Sequence, residues 1–378
     1  HPWGGRHAQA CRNEAQPVKA GVRAVAFVPY PLRTAPSQRF RLEQWEPHLR
    51  AHGIDIAFRV FAPSSLLRQL YLPGRTLGKA VSLAMAVLAQ HRQIPAQGSF
   101  DLAIVHRSMS LLGPAFLERQ LGRVVPFIYD FDDAIHLLNT SEANRAFGWL
   151  KFPNKTSEIC RLARAVSVGN EYLAEYARRF NHNVTIVPSS VDTSVYGPGP
   201  TRPARTPLVV GWMGSSTSQA LMEPFAPLLS RISDAGFVLR FVSDRRPSDF
   251  TFPFEWRQWS AETEIADLRD FDIGIMPLPD TEWARGKCAM KILQYMGVGV
   301  PSIGSAVGGN LEVIRDGANG LLATSTDEWL EKLRRVAADP GLAKRLGNAG
   351  RETVVARYSS GVSAQRFAEV VRRVVAVE

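Results

Sequence analysis

The chain has few cysteines, and none of them stands at a spacing that binds a metal. Among its 378 residues only Cys11, Cys160 and Cys288 are cysteines, and no two of them form a C-x-x-C pair. Scattered thiols of this kind exclude a cysteine-based metal site. They are typical of a protein in a reducing compartment, so we expect a cytoplasmic location.

The sequence also lacks a long apolar run. A helix that crosses a bilayer needs about twenty apolar residues, and the nearest approach, 77–89, is interrupted by Lys79 and Ser82. This segment is predicted to be a helix of the core, with a helix lying in a membrane interface as the alternative. Residues 1–20 contain no apolar core of a signal peptide, and they are predicted to be a disordered leader.

Acidic residues are scarce in the first half of the chain. The net charge is +10, and residues 1–190 hold 23 Lys and Arg against 13 Asp and Glu, whereas the remaining residues hold 22 of each. A basic domain attracts nucleic acid, an anionic membrane face or an anionic substrate. Because no zinc finger, helix-turn-helix or aromatic-basic repeat is present, we expect no nucleic-acid partner. The charge therefore favours an anionic substrate or an anionic membrane surface, bound peripherally, as the partner of the first half, with a solvated basic surface as the alternative.

Strand and helix patterns alternate along both halves of the chain. The length suggests two domains, and the alternation indicates parallel, doubly wound sheets. The Pro/Gly-rich segment 197–207 is predicted to be the linker, with a cleft between the halves. The main predicted strands are Val22–Val28, Ile54–Val60, Leu102–Val105, Val124–Tyr129, Leu208–Trp212, Val238–Val242, Asp272–Met276 and Val300–Ile303.

A helix that follows a strand in the second half is predicted to present two cations. The helix is expected from about 287 to 296, after a polar loop, and Lys287, Lys291 and Gln294 share one face of it. Lysines on a helix face are commonly a solvated surface. The position beyond a strand end favours an anion site instead, with Arg285 beside it.

A glycine pair follows the next strand. Gly308 and Gly309 come after the strand 300–303, and a short helix is predicted from Asn310. A backbone without side chains can approach a ligand closely, and the N–H groups at a helix start face anions. The sequence therefore predicts a phosphate-binding turn.

Acidic residues follow a strand of the first half. Asp130, Asp132 and Asp133 stand where open α/β sheets bind ligands, and His106 follows a neighbouring strand. The D-x-D spacing is also found in divalent-metal sites, but we expect no metal here because this half is not the nucleotide half. Arg39, near the first strand end, is a candidate for an acceptor phosphate or carboxylate.

The second half resembles the donor-binding core of the retaining group 4 glycosyltransferases of the GT-B fold. Members read roughly K-x-x-E-x-M-A-x-G-x-P-V-V and then G-G-x-x-E-x-I-x-D-G-x-N-G, and residues 291–320 read KILQYMGVGVPSIGSAVGGNLEVIRDGANG. Residues 187–196, VPSSVDTSVY, are similar to the inter-domain hinge of that family, and 357–359 to its closing motif. The matching positions are Lys291, Met296, Gly299, Pro301, Gly308, Gly309, Glu312, Asp316, Gly317, Asn319 and Gly320.

The chain departs from the family pattern at charged positions. The paired glutamates of the family, eight positions apart, would fall at Gly286 and Gln294. The arginine and lysine that follow the first strand of the family's second domain are also absent, since Gly214 is followed by Ser215 and Ser216. Gln294 retains a donor and an acceptor for a ribose hydroxyl, so we expect Gln294→Glu to be tolerated.

The resemblance implies an α/β GT-B fold, in which two Rossmann-like, doubly wound domains face a central cleft. Residues 21–196 would form the acceptor domain and 208–355 the nucleotide-sugar donor domain, while 356–378 would be a C-terminal helix that packs back toward the first domain. The implied reaction is retaining transfer of a sugar from a nucleoside-diphosphate sugar to a glycan, lipid-linked or small-molecule acceptor, with no cofactor.

The resemblance also implies roles for the candidate residues. Lys291, Lys287 and Arg285 would stabilise charge on the leaving diphosphate, with Asp132 at the reacting centre. The expected donor-binding residues are Gln294, Gly308, Gly309, Asn310, Gly214, Ser215 and Ser216, and the expected acceptor-side residues are Asp130, Asp133, His106 and Arg39.

Two other functions fit the same sequence. The missing charged residues favour a noncatalytic GT-B relative that serves as a partner subunit or scaffold, whereas Lys291 and the glycine pair favour an enzyme. A sugar-nucleotide epimerase of the same fold would need no acceptor.

Overall fold

Two six-stranded parallel sheets form the frame of the molecule. The coordinates are a computed structural model that describes residues 21–71, 76–111, 113–137, 152, 154–200, 202–203 and 205–376, and the predicted leader, 1–20, lies outside the described residues. All strand pairs within both sheets are parallel. The strands are rich in apolar residues because helices cover both faces of such sheets.

The first sheet has the order β2-β1-β3-β4-β5-β6. Its order reverses beside β1, and open α/β sheets bind ligands at the carboxyl ends of strands near such a reversal. The strands are β1 Val22–Val28, β2 Ile54–Val60, β3 Leu102–His106, β4 Phe127–Phe131, β5 Ala165–Val168 and β6 Val184–Ile186.

The helix after β1 contains a widened turn. It runs from α1 Pro36–Gln38 through a π-helical turn, Arg39–Glu43, into α2 Gln44–Ala51. Pro47 has no N–H to donate and crowds the carbonyl four residues earlier, which explains why the preceding turn is widened. The other helices of this domain are α3 Ser64–Tyr71, α4 Thr76–Arg92, α5 Phe116–Leu121, α6 Lys155–Leu162 and α7 Glu171–Arg178.

The second sheet has the order β12-β11-β10-β7-β8-β9. Its strands are β7 Val209–Met213, β8 Val238–Ser243, β9 Glu255–Gln258, β10 Ile273–Met276, β11 Ser302–Ser305 and β12 Leu321–Ala323. The helices that cover it are α8 Ser216–Gln219, α9 Ala226–Asp234, α10 Glu264–Arg269, α11 Glu282–Arg285, α12 Met290–Gly297, α13 Gly309–Val313, α14 Thr326–Ala338 and α15 Pro340–Arg357.

The last helix returns to the first domain. Helix α16, Ser360–Val375, packs against α2, and the rings of Phe367 and Trp45 lie 5.4 Å apart. Where the chain crosses back, the N–H of Val191 donates to the carbonyl of Tyr358 at 3.1 Å. The two crossings between the domains are therefore tied together.

The structure confirms the predicted fold class of two doubly wound α/β domains, while several element limits differ. The predicted strand at 124–129 begins at Phe127, because the N–H groups of Val124 and Val125 bond to Leu121 at the end of α5. The predicted strand at 300–303 begins at Ser302, because Gly299 is left-handed, with φ +78°, and Pro301 has no N–H for the ladder. Strands β5, β6, β9 and β12, which have three or four residues each, were not predicted from the sequence.

Helix α4 is a surface helix, so the prediction of a core helix at 77–89 is wrong. Its apolar side chains Leu77, Val81, Met85 and Leu88 are exposed, with 79% of Leu77 and 61% of Met85 open to solvent. They recur at spacings of four, four and three and therefore share one face. None of the helices in the described part of the chain is long and apolar enough to cross a membrane.

Candidate active site

Three contacts join the carboxyl ends of the two sheets and define the centre of the cleft. Lys287 Nζ lies 2.9 Å from Asp133 Oδ2, and the Cys288 thiol donates to the carbonyl of Asp132 at 3.1 Å. Arg39 bonds to both carboxylate oxygens of Glu264, at 2.9 and 2.8 Å. The residues after β1, β4, β9 and β10 are therefore brought together, as expected for a ligand site between open sheets.

Lys291 is an enclosed cation in the first turn of α12. Its Nζ lies 5.2 Å from the centre of the Trp212 ring, and a Cβ on Gly214 would lie only 2.8 Å from its Cε. Burial, followed by the charge of Lys287, lowers the pKa of Lys291 to about 7. Within the described residues no carboxylate forms an ion pair with it. The charge of Asp133 acts in the opposite direction but does not outweigh burial and Lys287. A desolvated cation with no direct ion pair favours binding of an anion.

Lys287 lies before α12, so the prediction that it shares a helical face with Lys291 is wrong. The helix begins at Met290 because Ala289 adopts the left-handed conformation, with φ +52°. The Lys287 side chain crosses the cleft to Asp133 and lies 4.9 Å from the centre of the Trp283 ring. Lys287 therefore forms an ion pair between the two domains.

Gly286 occupies the position of the first family glutamate, and the first domain leaves no room for a side chain there. A Cβ on Gly286 would lie 2.6 Å from the Cβ of Ala134 and 3.0 Å from its backbone nitrogen. Asn170, which caps α7, also donates to the carbonyls of Arg285 and Lys287 at 3.3 and 3.2 Å. The first domain thus holds the segment 285–287 from two sides.

The glycine pair packs against protein backbone. Gly308 has φ +55°, and a Cβ there would lie 2.7 Å from the carbonyl oxygen of Arg285. The N–H of Gly309 donates to the carbonyl of Lys287 at 3.1 Å, so it is not free for phosphate. The backbone of residues 284–289 approaches the two glycines closely, which explains why neither position has room for a side chain. These contacts do not support the prediction that Gly308 and Gly309 bind phosphate.

Asn310 is likewise used inside the second domain. It is fully buried, and its Nδ2 donates to the carbonyls of Ser305 at 3.0 Å and Met276 at 3.4 Å. Its backbone N–H donates to Val307. These bonds hold the ends of β10 and β11 together, while the buried Oδ1 of Asn310 accepts no hydrogen bond from the described residues.

Arg285 lies at the outer rim of the cleft. It is half exposed and paired with Asp280, with Nε 2.7 Å from the carboxylate. It lines a cavity of about 390 Å³ together with Tyr172 and Leu311, and with the carboxylates Glu171, Glu175 and Glu312. The surrounding negative charge makes this cavity a poor site for diphosphate, so Arg285 is a weaker candidate than Lys291.

The serine loop after β7 is closed by a carboxylate of its own domain. The N–H of Ser216 donates to Asp244 at 2.5 Å and its hydroxyl donates to the same carboxylate at 2.8 Å, while the Ser215 hydroxyl bonds to Thr217. The adjacent Arg245 and Arg246 are exposed, and neither forms an ion pair among the described residues. They are cations near the strand end that sequence reasoning missed.

Gln294 lies in a buried polar cluster between the domains. Its Nε2 donates to Glu264 Oε1 at 2.8 Å, and Glu264, 2% exposed, also accepts bonds from Tyr196 and Arg39. The charge of Arg39 is therefore neutralised across the cleft, so an acceptor contact by Arg39 is not supported. A ribose contact by Gln294 stays a prediction, since only its amide nitrogen is used here.

The position of Glu264 reverses our expectation for Gln294→Glu. The substitution removes the donor to Glu264 and sets a second carboxylate beside it, so we expect a loss of about 1–3 kcal/mol in the free energy of unfolding. Urea unfolding measures this loss. Gln294→Met, which removes the donor without adding charge, is the matched comparison and should lose less. Equal stability of Gln294→Glu and the parent would contradict the observed cluster.

Asp130 is a core residue and does not face an acceptor. It is fully buried, with Arg41 donating to both of its oxygens, Nε at 2.9 Å and a terminal nitrogen at 2.5 Å. Nδ1 of His106, also buried, lies 2.8 Å from Asp130 Oδ2. Burial favours the neutral acid, but Arg41 and His106 outweigh it and hold the pKa of Asp130 well below its usual range.

Asp132 and Asp133 line the cleft from the first domain. Their side chains are each 12% exposed, and Arg107 lies 3.1 Å from Asp132 and 3.6 Å from Asp133. Burial opposes ionisation of Asp132, but the charge of Arg107 outweighs it and lowers the carboxyl pKa. Arg107 itself is left-handed, with φ +61°, an uncommon conformation for a non-glycine residue that often marks a functional site.

The carboxylates after β4 are the candidates for a metal site among the described residues. In that part of the chain no group of three or more His, Cys, Asp or Glu side chains has an arrangement that could hold a metal ion. The carboxylates of the D-x-D segment are directed to different partners, Asp130 to Arg41 and Asp132 to Arg107.

The two facing, doubly wound domains have the architecture of the GT-B fold. Residues 225–339 match the family model of the glycosyl transferases group 1. That segment spans α9 to α14 and contains Lys287, Lys291 and the glycine pair. No curated protein sequence matches the chain significantly.

Solved structures of glycosyltransferases share the fold over nearly the whole chain. A sucrose-phosphate synthase from Thermosynechococcus elongatus is 18% identical with a TM-score of 0.68, and the match covers 95% of this chain and 100% of that one. A glycosyltransferase from Rickettsia africae is 13% identical with a TM-score of 0.66 and the same coverage. HepE from Anabaena, in complex with UDP-glucose, is 14% identical with a TM-score of 0.63, covering 93% of this chain and 100% of that one.

Proposed function

We propose that the protein is a retaining glycosyltransferase that moves a hexose-type sugar from a nucleoside diphosphate to a glycan or lipid-linked acceptor. The observation that carries the proposal is Lys291, an enclosed cation that forms no direct ion pair among the described residues and belongs to the segment that matches the family model. A diphosphate supplies the missing negative charge. Cations fixed in a closed cleft stabilise charge that develops as the diphosphate leaves.

The reaction needs no covalent protein nucleophile in this proposal. The acceptor attacks from the face that the diphosphate vacates, so the sugar keeps its configuration. Lys291, supported by Lys287, stabilises the leaving diphosphate, while Asp132 faces the acceptor from the first domain. Holding donor and acceptor between two domains supplies orientation as well as charge.

The donor is tested with a panel of sugar nucleotides. Because HepE was solved with UDP-glucose, UDP-hexoses are tested first, by thermal shift and then by transfer. A ligand at about 100 times its dissociation constant adds roughly 2.7 kcal/mol to stability. We expect binding of a nucleotide sugar and transfer only when an acceptor is added. Binding without turnover would favour a scaffold, and release of an altered sugar without an acceptor would favour an epimerase.

The acceptor partner is proposed to lie at an anionic membrane face. Helix α4 exposes the apolar residues Leu77, Val81, Met85 and Leu88, and the basic excess of the chain lies in the same domain. Exposed Arg68 and Arg92 flank this face. A surface helix with an exposed apolar face and basic residues near it is suited to the headgroup boundary of a bilayer.

Vesicle binding should depend on both the apolar face and the charge. We expect Val81→Glu with Met85→Glu to weaken binding to vesicles with anionic lipid at least about tenfold, because two apolar anchors are replaced by repelled charges. Binding of the parent should also fall as salt is raised, since exposed charges are screened beyond about 8 Å. Sedimentation with vesicles measures both effects. Glu substitutions at Lys344 and Val355 in the second domain are the control, and equal loss there would contradict the assignment.

A further inference from the structure

A chain of four side chains runs from the core of the first domain to the cleft. Asp130 Oδ2 lies 2.8 Å from His106 Nδ1, and His106 Nε2 lies 3.0 Å from the hydroxyl oxygen of Ser37. That hydroxyl lies 2.5 Å from Asp132 Oδ1 and also accepts from Arg107 Nε at 3.0 Å. The chain therefore links a buried ion pair to a carboxylate of the site.

The hydrogen bonds of this chain fix where its protons must be. Asp130 is ionised against Arg41 and can only accept, so His106 Nδ1 carries a hydrogen. The Ser37 hydroxyl has one hydrogen and two acceptor positions. Arg107 uses one acceptor position, and ionised Asp132 must receive the Ser37 hydrogen. The contact between Ser37 and His106 is then a hydrogen bond only if Nε2 also carries a hydrogen.

We propose that His106 is held as an imidazolium, and that through Ser37 it positions Asp132 to bind the attacking hydroxyl of the acceptor. Asp132 Oδ1 is occupied by Ser37 and Arg107, whereas Oδ2 has no hydrogen-bond donor among the described residues. That oxygen belongs to a side chain that reaches the cleft. Asp132 is the catalytic residue in this arrangement, and His106 and Ser37 are positioning residues.

Charged groups of both signs surround this chain. The groups that face it from the packed elements are Arg41 and Tyr30 near β1, Asp133 after β4, and Lys287 and Cys288 from the second domain. Arg41, Arg107 and Lys287 match the charges of Asp130, Asp132 and Asp133 before His106 is counted. The hydrogen-bond directions, and not the net charge, therefore place the second hydrogen on His106.

The catalytic part of this inference rests on the proposed function. The bond between the sugar C1 and the acceptor oxygen forms while the bond between C1 and the diphosphate oxygen breaks. The hydroxyl donates to Asp132 Oδ2 as it attacks, and its proton then passes to the departing diphosphate oxygen on the same face. Asp132 thus orients the hydroxyl and is unchanged at the end of the step.

The protonation state is tested by nitrogen NMR of the histidine-labelled protein. His106 is assigned by the signal that disappears in His106→Asn or, should that variant not fold, by the signal that shifts in Ser37→Ala. At about pH 8, where an ordinary histidine is neutral, we expect both ring nitrogens of His106 to carry hydrogen. A neutral ring with a single N–H would overturn the proposal. This measurement needs neither donor nor acceptor.

The positioning role is tested by steady-state kinetics with both substrates varied. Ser37→Ala should lower kcat/KM for the acceptor about tenfold and leave KM for the donor unchanged, whereas Ser37→Thr, which keeps the hydroxyl, should restore the activity. Ser108→Ala is the matched control, since Ser108 is half-buried on the loop after β3 and bonds to Ser110 instead.

The outcomes separate this inference from the proposed function. Transfer by the parent with unchanged acceptor kinetics in Ser37→Ala, or no rescue by Ser37→Thr, would overturn the positioning role and leave the glycosyltransferase proposal intact. Absence of transfer with every donor and acceptor would defeat the proposed function and the positioning role with it. The NMR result would still decide the protonation of His106.

Discussion

Replacing Lys291 with alanine is expected to lower kcat/KM for the donor about a hundredfold. Lys291 is an enclosed cation that forms no direct ion pair in the described structure, so under the proposed function the leaving diphosphate loses a fixed positive charge in this variant. A hundredfold loss corresponds to about 2.7 kcal/mol of transition-state stabilisation. Initial rates at varied donor concentration measure it. Lys344→Ala removes an exposed lysine of the same domain and should have no effect.

The same variant should be more stable than the parent when no ligand is bound. The pKa of Lys291 is lowered to about 7 by burial and by Lys287. The unfolded chain therefore binds this proton more tightly than the folded one. The resulting cost to stability is full below about pH 7 and disappears as the pH rises toward about 10.4. A higher melting temperature of Lys291→Ala near neutral pH, with activity lost, would separate a binding role from misfolding. Unchanged kinetics would contradict the assignment of the donor site.

Arg41→Ala is expected to cost about 3–5 kcal/mol of folding free energy, because it leaves the charge of Asp130 buried without its partner. Both side chains of this pair have no exposed surface. Urea unfolding measures the loss. Arg50→Ala, on the following helix, is the matched control, since Arg50 is 66% exposed and its ion pair with Glu46 should contribute no more than about 0.5 kcal/mol. Similar losses in both variants would contradict the buried pair.

The ion pair also predicts the direction of acid unfolding. The pKa of Asp130 is lower in the folded protein than in the unfolded chain, so its contribution is present above about pH 4 and is lost as the pH falls further. Asp130→Asn should remove this part of the pH dependence. If the free energy of unfolding of Asp130→Asn falls with decreasing pH as it does in the parent, other carboxylates determine the acid unfolding.

The alternation of strands and helices was sufficient to predict the fold, and parts of the site followed from local sequence. Lys291 was singled out because it lies in a helix that follows a buried strand, and both features are visible within about twenty residues. Its role in binding a donor stays a prediction. Short strands such as β6 were missed because a segment of three residues is too short to show a periodic pattern of apolar residues.

Long-range contacts account for the errors in the site. A glycine pair gives the same sequence signal whether a ligand or another backbone segment approaches it, and only the structure shows that residues 284–289 fill the space beside Gly308. The partners of Asp130 and Gln294 lie 89 and 30 positions away. The local sequence does not distinguish a buried carboxylate of this kind from one that faces a ligand. This is why the sequence led to the wrong prediction that Asp130 faces the acceptor.

The return of α16 to the first domain has a consequence for biosynthesis. The core that contains Trp45 and Leu49 also contains Phe367 and Val371, so the domain that begins first along the chain receives its last helix from residues 360–375. The second domain is inserted as a continuous segment within it. A chain that stops just after α15 would therefore hold a complete second domain attached to a first domain whose hydrophobic core is still open.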